Sequence, residues 1–585
     1  MSPEWSIAAL RQTRIGKTMH SRVRKQVDVR SGLSTTLVGL VKPIVIRVSG
    51  ENRYLRLRRS GLAKLRQLNK RRRKTKRRLS ERNGFALEHD VARHGDLLNL
   101  LVPAMTPAQA ALENFEYVTD ALDSRKIEWW LVEDYAGRGY RIGVREEAKT
   151  LTAAALMRPK TNVPIYVKTP RSTAVALAEV VDLCQDPEVR VITVTAPKKV
   201  TDTNWAFGFR YGCSIEFWTE IVSDSRVVIE APAENRAAKL MSDAEFTLEK
   251  TSTGSGRDCR TPAVLNRTML EDITFPIDAV YTWVDGADPK WIESKRRLEA
   301  DLAGDEYHPE ANHEARFESK DELKYSLRSL EYFAPWFRRI YIVTSGQVPA
   351  WLDVDHPKIQ MISHADIYDN ADHLPTFNSN SIISRLHHIP GLSEHFIYLN
   401  DDVMLGKPVR PHDFFLPTGL AKAFPSKNHR PFGAPTAEDG PHFNLTRNIR
   451  RLLESEFGIT VTHAVKHTPY PLLKSVLFEM EERFPEAFDH TWSSRFRHHE
   501  DIVADQLYHY YAQIVGKAVA TSITYRYVNI RDDNYRWVLR DTLRLRNRST
   551  LCLNDAPMDD VEPLTDEEVG DFLKSYFPCR SSFER

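Results

Sequence analysis

From Phe275 onward, short apolar runs alternate with amphipathic stretches, and each run stops on acids or turn residues. Ile277 to Val284 (IDAVYTWV) reads as a strand that breaks at Asp285-Gly286-Ala287-Asp288-Pro289. Asp321 to Leu330 places Leu323, Leu327 and Leu330 at helical spacing, and Pro335 ends that helix. Arg339 to Gly346 and Lys358 to Ser363 are the next strands. A helix through Ser381 to His388 leads to a buried strand at Phe396 to Leu399, which stops on Asn400, Asp401 and Asp402. Strands alternating with helices predict an α/β fold: a mostly parallel sheet with helices on both faces.

The first half carries a weaker version of the same pattern. Helical spacing in Pro107 to Leu122 is followed by strand candidates at Ile127 to Glu133, Tyr140 to Val144, Val163 to Val167, Val189 to Val194 and Arg226 to Glu230. A smaller α/β domain is therefore expected over 96–250, with no catalytic constellation in it. The Gly- and Ser-rich stretch Ser252 to Arg260 marks a linker over 251–274. A catalytic domain over 275–556 and a C-terminal tail over 557–585 complete the expected division.

Residues 1–95 form a basic arm. Arg53 to Arg78 hold fourteen Lys or Arg and no acid, with a helix expected through Leu62 to Leu68. The whole chain carries +3, so the rest of it carries −11. Such a run is ordinarily a solvated helix or arm, and its functional reading is attraction to an anionic membrane surface. No aromatics interleave Lys70 to Arg78, which argues against nucleic acid. The longest apolar candidate, Leu37 to Val48, is short and broken by Lys42, Pro43 and Arg47, so no span is expected. With no secretory pattern at the start and five scattered cysteines, the chain reads as cytoplasmic, peripheral on the inner face of a membrane, with five ordinary thiols.

Chemistry concentrates at Asn400-Asp401-Asp402. Carboxylates at the carboxyl edge of a strand sit where open α/β sheets bind ligands. Two hard oxygen donors there suit Mg²⁺ or Mn²⁺ on a nucleotide diphosphate. The ordinary alternative is a turn, since Asn and Asp are turn formers.

Three stretches, IDAVYTWVDGADPKW (277–291), DELKYSLRSLEYFAPWFRRIYIVTSGQVPAWL (321–352) and LPTFNSNSIISRLHHIPGLSEHFIYLNDDVMLG (374–406), resemble the Stealth family of capsular and exopolysaccharide sugar-1-phosphate transferases. Two shorter pieces, KHTPYPLLK through RFRHHEDIVADQLYHYY (466–511) and LCLND (551–555), resemble its later blocks. The resemblance implies a nucleotide-sugar-binding, glycosyltransferase-A-like core. It implies transfer of a sugar 1-phosphate from a UDP-sugar, UDP-N-acetylglucosamine by family habit, to a glycan hydroxyl with release of UMP. Surface polysaccharide biosynthesis is the implied setting, in a bacterium, and a homo-oligomer is a further expectation.

On that reading Asp401 and Asp402 hold the divalent metal, Arg497 supplies a planar cation to phosphate, and His467 is the base. His463 is the alternative base, and Arg497 has an alternative as ion-pair partner of Glu500 or Asp501. Asp278, early in its strand, is a candidate substrate contact. So are Asn378 and Ser379 in the loop after Pro375, and Arg328 on its helix. Glu322, six residues before Arg328, shares its face poorly and is not expected to pair with it. Asn554 is a candidate substrate contact, and with Asp555 a candidate to close the metal site. Asp285 and Asp288 read as turn residues, and Tyr508, Tyr510 and Tyr511 as helix packing. An ordinary metal-dependent glycosyltransferase, releasing UDP, uses the same strand-and-acids pattern. A polyanion-binding protein working through the basic arm leaves the acids unexplained.

Overall fold

A computed structural model describes residues 91–585 except 134–138, 158–162, 224–225, 254–255, 303–319, 437–440, 531–533 and 555–565. Residues 1–90 of the basic arm with its membrane-facing reading, the helix expected near Leu62, and Asp555 lie outside the described residues. Among those described, no helix is long and apolar enough to cross a membrane.

The central sheet is built from β1 (Ile277–Thr282), β2 (Ile340–Thr344), β3 (Ile359–Ser363), β4 (His395–Asn400) and, beyond a short strand β5 (Val403–Leu405), β6 (Tyr470–Leu473). Its order is β3-β2-β1-β4-β6, parallel except for the last pair. β2 and most of β1 and β4 are buried, which is why they read as near-continuous apolar runs. Crossovers include α1 (Glu322–Phe333) between β1 and β2, and the short helix α2 (Ser379–Ile383) before β4. The expected mostly parallel α/β core is present.

A second, three-stranded sheet continues from the first. β5 pairs antiparallel with β8 (Thr550–Asn554), which runs parallel to β7 (Tyr525–Asn529). The chain leaves β4 at Asn400, turns through Asp401 and Asp402, and enters β5 at Val403. The acid pair thus lies in the joint between two sheets. Leu553 N–H donates to the Asp402 carbonyl at 3.1 Å, fixing that joint.

The smaller α/β region has strands close to those expected, but it is organised by one that the hydrophobic pattern did not reveal. Cys213–Ser223 pairs parallel with Arg141–Arg145 and antiparallel with Val191–Thr195 and Arg226–Glu230. Its Glu216 is buried against Arg141, so a charge stands where alternation calls for an apolar residue. Two boundaries differ from expectation. The segment expected as a linker contains strand pairing, Leu248–Ser252 antiparallel to Asp258–Pro262. The C-terminal tail is a helix, Asp566–Tyr576, whose Phe572, Leu573, Tyr576 and Phe577 enter the same core as β1 and β4. Met105, Trp205 and Phe207 from the smaller region share that core as well.

Candidate active site

Local chemistry explains how α1 reaches the acid pair. Ser326 Oγ donates to the Val403 carbonyl at 2.6 Å and meets the Tyr281 hydroxyl at 2.8 Å. Leu405 N–H donates to Ser329 Oγ at 2.9 Å. Two small polar residues on one face of α1 therefore dock the helix on β5 and hold its first turn near the joint. Asp321 opens the helix in the left-handed region, φ 64°, and Glu322 Oε2 accepts from Lys320 N–H at 2.6 Å.

Three carboxylates converge. Burial raises the Asp401 pKa well above the ordinary carboxylate range, and the charges of Glu322 and Asp402 raise it further. Burial likewise lifts Glu322 to about 7, with Asp402 adding to the rise. Among the described residues, no hydrogen bond or ion pair brings a Lys or Arg to Asp401 or Asp402. Asp401 Oδ1 accepts the Asp402 N–H at 3.1 Å. Asp402 Oδ1 is buried without a hydrogen bond. An unneutralised carboxylate group of this kind is costly in isolation and fits a hard divalent cation, for which oxygen donors are the preferred ligands.

His467 faces the same acids. Its Nε2 lies 3.6 Å from Asp402 Oδ1 and 3.2 Å from the Asn400 amide nitrogen. Asn400 Oδ1 in turn accepts from the Tyr398 hydroxyl at 2.5 Å, and Tyr398 meets Thr282 Oγ1 at 3.0 Å. This chain of contacts carries the orientation of β1 and β4 to the imidazole. Burial works against the imidazolium, but the close approach and negative charge of Asp402, helped by buried Asp505, outweigh it and raise the His467 pKa. The Cys552 thiol, buried on β8, donates to Asp402 Oδ2 at 3.3 Å.

The conserved-region models of the Stealth proteins match this chain four times: region 1 at 275–303, region 2 at 316–423, region 3 at 466–513 and region 4 at 541–585. The exopolysaccharide phosphotransferase SCO6023 of Streptomyces coelicolor is 37% identical, over 85% of this chain and 86% of its own length. The exopolysaccharide phosphotransferase CpsY of Mycobacterium tuberculosis is 33% identical, over 85% of this chain and 92% of its own. The chain belongs to the Stealth family of transferases. A longer relative, SCO2592 of Streptomyces coelicolor, is 37% identical, and this chain spans 54% of its length. Among solved structures, the galactosyltransferase LgtC, crystallised with donor and acceptor sugar analogs, aligns over 51% of this chain and 95% of its own at 11% identity and TM-score 0.27. Mouse xyloside xylosyltransferase 1 aligns over 48% of this chain and 99% of its own at 11% identity and TM-score 0.25. Likeness at that level carries no argument about the site.

The cluster of this Stealth protein is assembled from separate conserved regions. Region 2 supplies Glu322, Asp401 and Asp402, region 3 supplies His467 and Asp505, and region 4 supplies Cys552. Region 4 runs to Arg585, so the family match includes the segment expected to be a tail. Arg497 and Ser379 are also brought together: the guanidinium donates to Ser379 Oγ at 2.5 Å. Asn554 ends β8, where its carbonyl accepts from Ile530 N–H at 2.9 Å.

Three candidate substrate contacts have other work. Asp278 is fully buried near the start of β1, away from the carboxyl edge, and accepts from Arg338 at 2.8 and 2.5 Å, Arg339 N–H at 3.2 Å and Ser393 N–H at 2.8 Å. Arg328 is buried, forks onto Glu584 with two 2.7 Å bonds and donates to the Phe577 carbonyl at 2.7 Å. Asn378 is fully buried, caps α2 through Asn380 N–H and donates to the Ser494 and Phe496 carbonyls and to Asp501. Each holds segments of the fold together through these contacts. All five cysteines are free and buried, as expected, and Cys552 alone of them lies against the acid pair. Glu322, Asp505 and Cys552 were the residues the sequence left out of the site. Membership of the matching blocks was the only signal that could have drawn attention to them.

Proposed function

We propose that this protein transfers a sugar 1-phosphate from a UDP-sugar to a hydroxyl of a glycan acceptor, releasing UMP, in exopolysaccharide synthesis. The observation that carries the reading is the convergence of Asp401, Asp402 and Glu322 beside His467 at the carboxyl edge of the central sheet. The relatives' names support phosphotransfer in exopolysaccharide formation as the setting. N-acetylglucosamine as the sugar is a reading from the family.

Attack of the acceptor oxygen on the phosphorus nearer the sugar forms one P–O bond and breaks the bond to the uridylyl oxygen. Such transfer depends chiefly on positioning and charge stabilisation. His467 takes the hydroxyl proton at Nε2, and Asp402, 3.6 Å away, stabilises the imidazolium. Asn400 keeps the ring turned to that side. Arg497, steadied by Ser379, offers its planar fork to a phosphate oxygen. Asp401, Asp402 and Glu322 would hold a Mg²⁺ or Mn²⁺ ion, which when bound supplies Lewis-acid neutralisation of the diphosphate. Asn554 on β8 is proposed to meet the donor, and Asp555 to complete the carboxylate set.

Nucleotide release tests the reading. A panel of UDP-sugars is incubated with Mg²⁺ or Mn²⁺ and short glycan acceptors, and UMP is resolved from UDP. Acceptor-dependent UMP is expected, lost on Asp402→Ala and reduced roughly 10²- to 10⁴-fold on His467→Ala. UDP as the product would make the protein a glycosyltransferase and refute phosphotransfer.

A further inference from the structure

One side chain in the cluster does not belong to hard-cation chemistry. Mg²⁺ and Mn²⁺ are served by carboxylates, whereas a buried thiol on the same acid is a soft donor. Cys552 Sγ lies 3.3 Å from Asp402 Oδ2, and His467 Nε2 lies 3.6 Å from Asp402 Oδ1. The sulfur, the imidazole nitrogen and a carboxylate oxygen all fall within 4.8 Å of one another. Zn²⁺ bonds of about 2.3 Å to sulfur and about 2.0–2.1 Å to nitrogen or oxygen set tetrahedral edges of roughly 3.3–3.6 Å. The two short separations run to different oxygens of Asp402, so a turn of its carboxylate that presents one oxygen to both partners closes such a site. Asp402 Oδ1, buried without a hydrogen bond, is a waiting ligand.

The fold holds the three donors from three directions. Asp402 sits in the joint between β4 and β5. Cys552 is opposite Val403 in the β5–β8 ladder. His467 comes from the segment just before β6. Another histidine–carboxylate cluster, His387 and His388 with Glu481, gives a useful contrast. Both imidazoles there lie 2.6–2.7 Å from one Glu481 oxygen, hydrogen-bond distances too short for tetrahedral edges. It reads as a closed polar contact.

We infer that Asp402, His467 and Cys552 form a three-ligand site for a borderline-soft cation of the Zn²⁺ class, and that its occupation takes His467 and Asp402 out of catalytic use. Binding forms one metal–sulfur bond and releases the Cys552 thiol proton to solvent. Zn²⁺ and Co²⁺ bind nitrogen and sulfur donors more tightly than Mn²⁺ does, so a trace of either would displace the hard ion. The inhibitory consequence rests on the proposed function; the binding itself does not.

The full chain is titrated with Co²⁺ alone, in the absence of substrate, and followed by absorbance. A near-ultraviolet thiolate-to-cobalt band with intense tetrahedral visible bands is expected, and Zn²⁺ should abolish both. Cys552→Ser should remove the near-ultraviolet band, and His467→Ala should weaken Co²⁺ binding by more than the roughly 10- to 100-fold that loss of an outer contact costs. No thiolate band in the natural protein, or a band unchanged by Cys552→Ser, overturns the site. If the serine variant fails to fold, His467→Ala decides: unaltered Co²⁺ affinity and spectrum overturn it. In the UMP assay, micromolar Zn²⁺ should inhibit in the presence of millimolar Mg²⁺. A bound Co²⁺ spectrum with full activity under Zn²⁺ would refute the inhibitory half alone.

Discussion

Near the amino end of β1, Asp278 is wholly buried and wholly satisfied: Arg338, two backbone N–H groups and a position deep in the sheet leave it nothing to seek. At the carboxyl end of neighbouring β4, Asp401 and Asp402 are also half hidden, yet they face Glu322 and each other, and Asp402 Oδ1 has no hydrogen bond. The same residue type in the same sheet serves opposite ends. A buried carboxylate that has collected its donors contributes to holding the fold. A group of carboxylates left in mutual repulsion costs stability and is kept for what it can bind.

The largest effect that would break this comparison is on turnover. Asp402→Ala should lower UMP formation by on the order of 10³-fold or more, the several kcal/mol that cation binding contributes to such a transition state. Its melting temperature without divalent ions should stay level or rise, because repulsion has been relieved. A variant that is inactive because it has unfolded would remove the distinction between the two ends, and circular dichroism alongside the assay checks this.

The opposite pattern is expected at the satisfied acids. Arg328→Ala removes the bidentate partner of buried Glu584 and leaves it only Ser581 and the more distant Arg580, a change worth about 3 kcal/mol of folding stability. Asp278→Ala strands the Arg339 and Ser393 amides but leaves Arg338 partly in solvent, so about 3 kcal/mol is expected. Urea unfolding measures both. At a temperature where each variant remains folded, donor KM should be close to that of the natural protein. A selective rise in donor KM at either position would return that residue to the substrate site.

These contrasts also explain what could be read in the sequence. Buried parallel strands such as β2 and β4 announce themselves because both faces are apolar. The acids that end β4 stood out because an apolar run stopped on them. Partners far apart in sequence left no such mark. Arg328 meets Glu584 across 256 positions, and nothing local distinguishes that arginine from one awaiting phosphate. Glu322 looked like an ordinary first-turn acid, which is favourable at a helix start in any case. Its approach to Asp401 depends on Ser326 and Ser329 docking α1 onto β5, a tertiary event. Cys552 was one thiol among five until the β5–β8 register set it beside Asp402. The long strand Cys213–Ser223 was hidden by Glu216, whose partner Arg141 lies 75 positions away.

The smallest effect concerns pH, and it sharpens the comparison most directly. Burial and Asp402 raise Glu322 from 4.5 to about 7, so between those values the folded protein binds protons that the unfolded chain does not. Its contribution to stability is therefore full below about 4.5 and lost as pH rises through about 7. Glu322→Gln keeps the shape and removes the charge. Relative to the natural protein, the metal-free variant should gain about 1–3 kcal/mol at pH 8 and little at pH 4.5. Adding Mg²⁺ should shrink that gain, since the ion stabilises only a protein that can hold it. The matching substitution Asp278→Asn should show no such gain at pH 8, because its carboxylate is already neutralised by Arg338. If Glu322→Gln melts like the natural protein at every pH, with and without Mg²⁺, the carboxylates at the carboxyl edge are not in repulsion, and the two ends of the sheet do not differ in the way their contacts indicate.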